Sequence, residues 1–96
     1  MKTIRLPARP NYPRVIYYST EAYRVRYKKN LGCFGVTDPE TKTITIRAGL
    51  SPRSLLATLV HEILHVIEFE TPVKIKHKQV YKLEKALVEI LLDNFF

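Results

Sequence analysis

Two imidazoles and a carboxylate set the first constraint on this chain: His61-Glu62-Ile63-Leu64-His65 places two histidines four residues apart with a glutamate beside the first. In a helix that spacing stacks both rings on one face about a turn apart, within reach of a single tetrahedral ion, and imidazole pairs of this kind suit zinc. Glu62 stands where it can take a proton from a water held at such an ion, the part of a general base. A catalytic zinc needs a third protein ligand and an open position. His77 and Glu84 interrupt the apolar pattern of the next helical segment, and polar groups buried there need partners. His77 is the third-ligand candidate, with Glu84 orienting a ligand imidazole through its other nitrogen. The competing assignment makes Glu84 the ligand and His77 a stabiliser of the transition state. Glu68 and Glu70 follow His65 near the end of its helix, where side chains point beside the ion, although Glu68 is the nearest candidate for a fourth ligand in a closed site. Tyr81 and the strand residue Tyr23 are the candidates for oxyanion stabilisation.

The elements that must position these groups are legible from pattern. Ser51-Pro52 reads as an N-cap followed by proline at the first helical position, and Thr71-Pro72 stops the helix, which predicts a span of about 52 to 70. Placed at 100° intervals, Leu55, Leu56, Leu59, Val60, Ile63, Leu64, Val66 and Ile67 fill about half the circumference, while Ser54, Thr58, His61, His65 and Glu68 form a narrow polar stripe. A helix this apolar is mostly buried, so the stripe is expected to face an interior cleft. A second helix is predicted from about 77 to 93, with an apolar face of Val80, Leu83, Leu87, Val88 and Leu91.

Upstream, the residues from Arg14 to about Lys29 read as a strand, in which Tyr23, Val25 and Tyr27 alternate with Arg24, Arg26 and Lys28 and give one basic face. Turn chemistry at 37–42 separates segments of roughly 32–37 and 43–47 that read as a hairpin. Pro7, Pro10 and Pro13 make residues 1–13 an extended arm, in which Thr3 to Leu6 is the one candidate for a short strand. The expectation is one α+β domain spanning residues 1–96: a small antiparallel or mixed sheet followed by two helices.

Charge and composition bound the function classes. Of the 16 Lys and Arg in the 96 residues, ten lie in the first fifty positions against three acids, so the net +7 belongs wholly to that half. Arg24, Arg26, Lys28 and Lys29 among tyrosines could meet phosphates and stack on bases, which raises nucleic acid as a partner, although a solvated basic sheet face accounts for the same pattern. Cys33, the one cysteine, excludes an intramolecular disulfide and a multi-cysteine zinc site and is read as packing. No stretch reaches the roughly 18 apolar residues of a membrane span, and the first thirteen residues lack the apolar run of a secretory signal. A cytoplasmic, soluble protein is expected.

Three stretches carry a resemblance: the hairpin Gly32 to Ile46 with Thr43-Ile44-Thr45-Ile46, the segment Thr58 to His65, and His77 opening a Leu- and Glu-rich last helix to Asp93-Asn94. Together, over roughly 32–94, the chain resembles the small zincin metallopeptidases, phage-associated and SprT-like. The resemblance implies a zinc-dependent hydrolase of peptide bonds acting on a protein or peptide substrate, with His77, which opens the helix, as third ligand. It also implies that Thr43 to Arg47 is a sheet edge on which an extended peptide is laid. The chain departs from the extended metzincin signature, having no glycine three residues after His65, and it lacks a Cys-rich zinc ribbon. Two further readings use the same residues: a DNA-associated protease guided by the basic half, and a non-enzymatic, zinc-stabilised protein whose basic face binds nucleic acid or an acidic partner.

Overall fold

Alternating β-branched and aromatic residues build four strands, and the two long apolar-periodic segments build two helices. The computed structural model describes residues 13–95, so residues 1–12 of the expected arm, with the short strand at Thr3 to Leu6, lie outside the described residues. The elements are β1 (Val15–Tyr18), β2 (Glu21–Lys28), β3 (Gly35–Asp38), β4 (Thr43–Arg47), α1 (Pro52–Glu70) and α2 (His77–Asn94). The class is α+β as expected, and the sheet is mixed: its order is β1-β2-β4-β3, with β2 and β4 parallel and the two outer pairs antiparallel.

Two details of the sheet differ from the sequence reading. The single strand expected over 14–29 is a hairpin, reversing at Ser19-Thr20 between the paired residues Tyr18 and Glu21, with Ser19 at φ 55°. No glycine or proline marks this turn, so the period of two runs on through it. The expected edge strand, Thr43 to Arg47, is internal, because the returning half of the β3–β4 hairpin inserts beside β2. The free edge next to the helices' site is β3.

Tyr23 and Val25 of β2 and Ile44 and Ile46 of β4 point to one face and pack against Leu55, Leu59 and Val66 of α1. The opposite side of α1 packs Val60 and Leu64 against Val80, Val88 and Leu92 of α2. The layer order is therefore sheet, α1, α2, and the wide apolar arc of α1 follows from its having a neighbour on each side. Each buried aliphatic side chain contributes about 1.5–3 kcal/mol to this stacking. Because α2 has only α1 to cover, its buried line is narrow, and the expected face is corrected: Leu83 and Leu87 are exposed while Leu92 is buried. The descending pairs Arg53–Glu89, His61–Glu84 and Glu68–Ile75 show that α2 runs back antiparallel to α1.

The helix ends follow the expected signals. Ser51 Oγ accepts the Ser54 amide at 3.2 Å ahead of Pro52, and the Thr71 amide and hydroxyl both donate to Ile67 O. The C-terminal turn of α1 is also tied to the sheet. Tyr23, fully buried, donates its hydroxyl to Glu70 Oε2 at 2.6 Å, and Lys42 pairs with the same oxygen while lying over the Tyr23 ring at 5.2 Å. Burial first, and then the bond to Glu70, push the Tyr23 hydroxyl up to about 12. The bonds from Lys42 and Tyr23 hold the Glu70 carboxyl below its ordinary 4.5, and the Glu70 bond raises Lys42 above 10.5. A depressed carboxyl stabilises the fold above its unfolded value, and that stability is lost as pH falls through the folded value. The raised Tyr23 and Lys42 do the reverse and lose their contribution at alkaline pH. The melting-temperature gap between the wild type and Glu70→Gln is therefore expected to close as pH drops from about 5 toward 3. A gap that stays constant over that range would remove Glu70 from the acid sensitivity of the fold.

Candidate metal centre

Three elements converge on one cleft. Its volume is about 690 Å³, and its walls include Gly35 and Thr37 of β3, His61, Glu62 and His65 of α1, and His77, Tyr81 and Glu84 of α2. The polar stripe of α1 thus faces a cleft, as its burial required. On α2 the spacing 77, 81, 84 follows one face, and the antiparallel run of the helices sets His77 beside His65 and Glu84 beside His61.

The three histidines approach closely. His61 Nε2 and His65 Nε2 are 3.2 Å apart. The His77 ring lies 5.4 Å from that of His61 and 5.6 Å from that of His65 between centroids. One ligand nitrogen from each ring falls within a set spanning no more than 4.8 Å. Each of the α1 imidazoles is held from behind: His61 Nδ1 lies 2.7 Å from Glu84 Oε1, and His65 Nδ1 lies 2.9 Å from Glu68 Oε1.

The protonation pattern tests whether this donor set fits a cation. A carboxylate only accepts, so each Nδ1 carries a proton and donates it, and a ring that holds this one proton turns a bare Nε2 lone pair toward its neighbour. Two lone pairs at 3.2 Å repel unless a positive charge stands between them. A shared proton would satisfy two nitrogens, but His77 brings a third donor to the same point. Two nitrogens bound at about 2.0–2.1 Å in a tetrahedron sit about 3.4 Å apart, close to what is found. The site fits a divalent ion taken by imidazoles, with carboxylates behind them fixing tautomer and ring orientation.

Glu84 therefore stands behind a ligand candidate, its carboxylate on the far nitrogen of His61, as in the first of the two sequence assignments. Glu68 occupies the equivalent place behind His65, and its other oxygen accepts the Ile75 amide at 3.3 Å. That partnership was missed in the sequence, although the i, i+3 spacing from His65 contains the signal. The two carboxylates also differ from His77 in burial. Glu84 and Glu68 side chains are each 21% exposed. His77, expected within the apolar face, is instead exposed at the cleft rim.

Glu62 is only 3% exposed and accepts from Thr37 Oγ1 at 2.8 Å, so β3 fixes one of its carboxylate oxygens. Among the described residues no cation pairs with it. The strand can come this close only because residue 35 is glycine: a Cβ there would lie 2.8 Å from Thr58 Cγ2 and 3.2 Å from Glu62 Oε2. In the sequence Gly35 and Thr37 carry only hairpin and turn signals, since nothing local links them to a helix some 25 residues on.

The oxyanion candidates separate. Tyr81 lies on the cleft, its ring 5.0 Å from His61 and 4.9 Å from His77. Tyr23 is a correction, because its hydroxyl is committed to Glu70 under the sheet. Cys33 is likewise corrected from packing to exposed, where its thiol donates to Gly35 O at 3.4 Å. No helix among the described residues is long and apolar enough to cross a membrane. No family model, curated protein or solved structure matches the chain.

Proposed function

We propose that this protein is a zinc-dependent metallopeptidase of minimal zincin type, with His61, His65 and His77 holding the metal and Glu62 as general base. The observation that carries the reading is the pair of Nε2 atoms 3.2 Å apart, with a carboxylate at the other nitrogen of each ring and a third imidazole beside them. Zinc held by His61, His65 and His77 would supply Lewis acidity for a bound water and a carbonyl oxygen. Glu62, held at one oxygen by Thr37 and paired with no cation among the described residues, accepts a proton from the attacking water and passes it to the departing amine nitrogen. Glu84 and Glu68 keep the Nδ1 protons in place and so hold the two rings in register through the reaction. An extended peptide would dock on the open side of β3, adding a strand to the sheet beside Glu62.

Glu68 is committed to His65 and the Ile75 amide, which favours an open coordination position over the closed site of a purely structural metal. The test is direct. Protein loaded with one equivalent of zinc is expected to cleave an unfolded protein such as casein, to stop when 1,10-phenanthroline removes the metal, and to resume when zinc is returned. Stoichiometric zinc without cleavage of unfolded chains would leave a zinc-stabilised binding protein in its place.

A further inference from the structure

The second surface built for contact is the face of the sheet turned away from α1. Tyr23, Val25, Ile44 and Ile46 face the helix, so the alternate residues of the same strands point outward, and no described element covers them. On β2 these are Arg24, Arg26 and Lys28, all exposed. Residues two apart on a strand are separated by about 6.7 Å, so the three cations form a straight ladder. On one side of it Tyr17 of β1, 73% exposed, pairs with Ala22 and stands diagonal to Arg24. On the other side Thr43 and Thr45 of β4 pair with Arg24 and Arg26 and offer hydroxyls.

No carboxylate neutralises this ladder. The ion pairs among the described residues engage Lys42 with Glu21 and Glu70, and Arg53 with Glu89, while Glu62 and Glu84 line the cleft and Glu68 is bound to His65 and the Ile75 amide. Asp38, at the end of β3, has its Oδ1 taken by the amides of Glu40 and Thr41. Three exposed cations thus stand in a row on a face that also carries two threonine hydroxyls and an aromatic ring.

We infer that the outer face of the sheet binds single-stranded nucleic acid, with Arg24, Arg26 and Lys28 on successive phosphates and Tyr17 stacking on a base. A regular row of cations suits the repeating charge of a phosphate backbone better than the isolated carboxylates of an acidic protein. The aromatic ring selects a strand whose bases are unstacked over a duplex, whose bases are hidden, and over a lipid surface, which has none. This binding is independent of the chemistry at the histidines, which lie on the other side of the sheet.

The probe is a fluorescein-labelled 15-mer oligothymidine, titrated with the full chain and followed by anisotropy across a salt series. Binding is expected with a steep salt dependence, and Arg24→Ala/Arg26→Ala/Lys28→Ala is expected to flatten the log–log slope by about 2, at about 0.7 per lost phosphate contact on a single strand. Tyr17→Ala is expected to weaken binding by about 5- to 150-fold with the slope unchanged, the signature of stacking. All four side chains are exposed, and thermal melts identical to wild type check that the variants are folded. The inference is overturned by no binding at low salt, by binding that the triple substitution leaves intact, or by a Tyr17→Ala variant equal to wild type. Duplex DNA or phosphatidylserine vesicles bound as tightly as the single strand would also overturn it.

Discussion

Glu62→Gln is expected to retain one zinc per chain and to lose peptide cleavage by about 10²- to 10⁴-fold, the range supplied by a positioned general base. The substitution keeps the shape of the side chain and an oxygen for the Thr37 hydroxyl, so the 3%-exposed site stays filled. What it removes is the capacity to hold a proton. Metal analysis and cleavage of a quenched unfolded substrate, measured on the same sample, separate the two functions. Cleavage within tenfold of wild type at full zinc occupancy would take the proton-transfer role away from Glu62. Cleavage lost together with zinc would mean that the carboxylate supports the metal site.

His77→Ala and Glu84→Ala are expected to divide on metal affinity. Losing a ligand costs more than losing the residue behind it, and replacement of a supporting carboxylate typically weakens binding about 10- to 100-fold. Glu84→Ala is expected within that range, because His61 keeps its position on α1 and loses only the acceptor for its Nδ1 proton. His77→Ala is expected to exceed it, leaving two nitrogens for an ion that needs three. The exposure of His77 makes the substitution mild for the fold, so competition against a zinc-binding dye reads the metal site alone. The reverse order, with zinc bound tightly by His77→Ala and lost from Glu84→Ala, would make Glu84 the ligand.

Much of this site was legible in the sequence because its chemistry is local. The limits of α1 were written in Ser51-Pro52 and Thr71-Pro72, and the side on which His61 and His65 fall followed from helical period. His77 and Glu84 stand out as polar residues in the apolar pattern of α2, although the buried face is narrower than that pattern and leaves His77 exposed. The sheet order was not legible. Placing β4 between β2 and β3 depends on non-local pairing, and the alternation of Thr43 to Arg47 reads the same at an edge or in the middle. The same reason hid Thr37 and Gly35, whose value lies in how closely a distant helix approaches. On α2, Leu83 and Leu87 were misplaced because the width of a buried stripe depends on how many neighbours a helix has, which the helix's own residues do not record.

The layer order of sheet, α1 and α2 has a consequence for the order of events in the chain's life. Since α2 is held through one face of one helix, it can detach while the sheet and α1 remain assembled, as a cooperative unit with an opening free energy below that of the whole domain. Two of the three imidazoles stay with the assembled part, and the third leaves with α2. A metal captured by all three would couple the two units, turning a protein that opens in stages into one that opens at once.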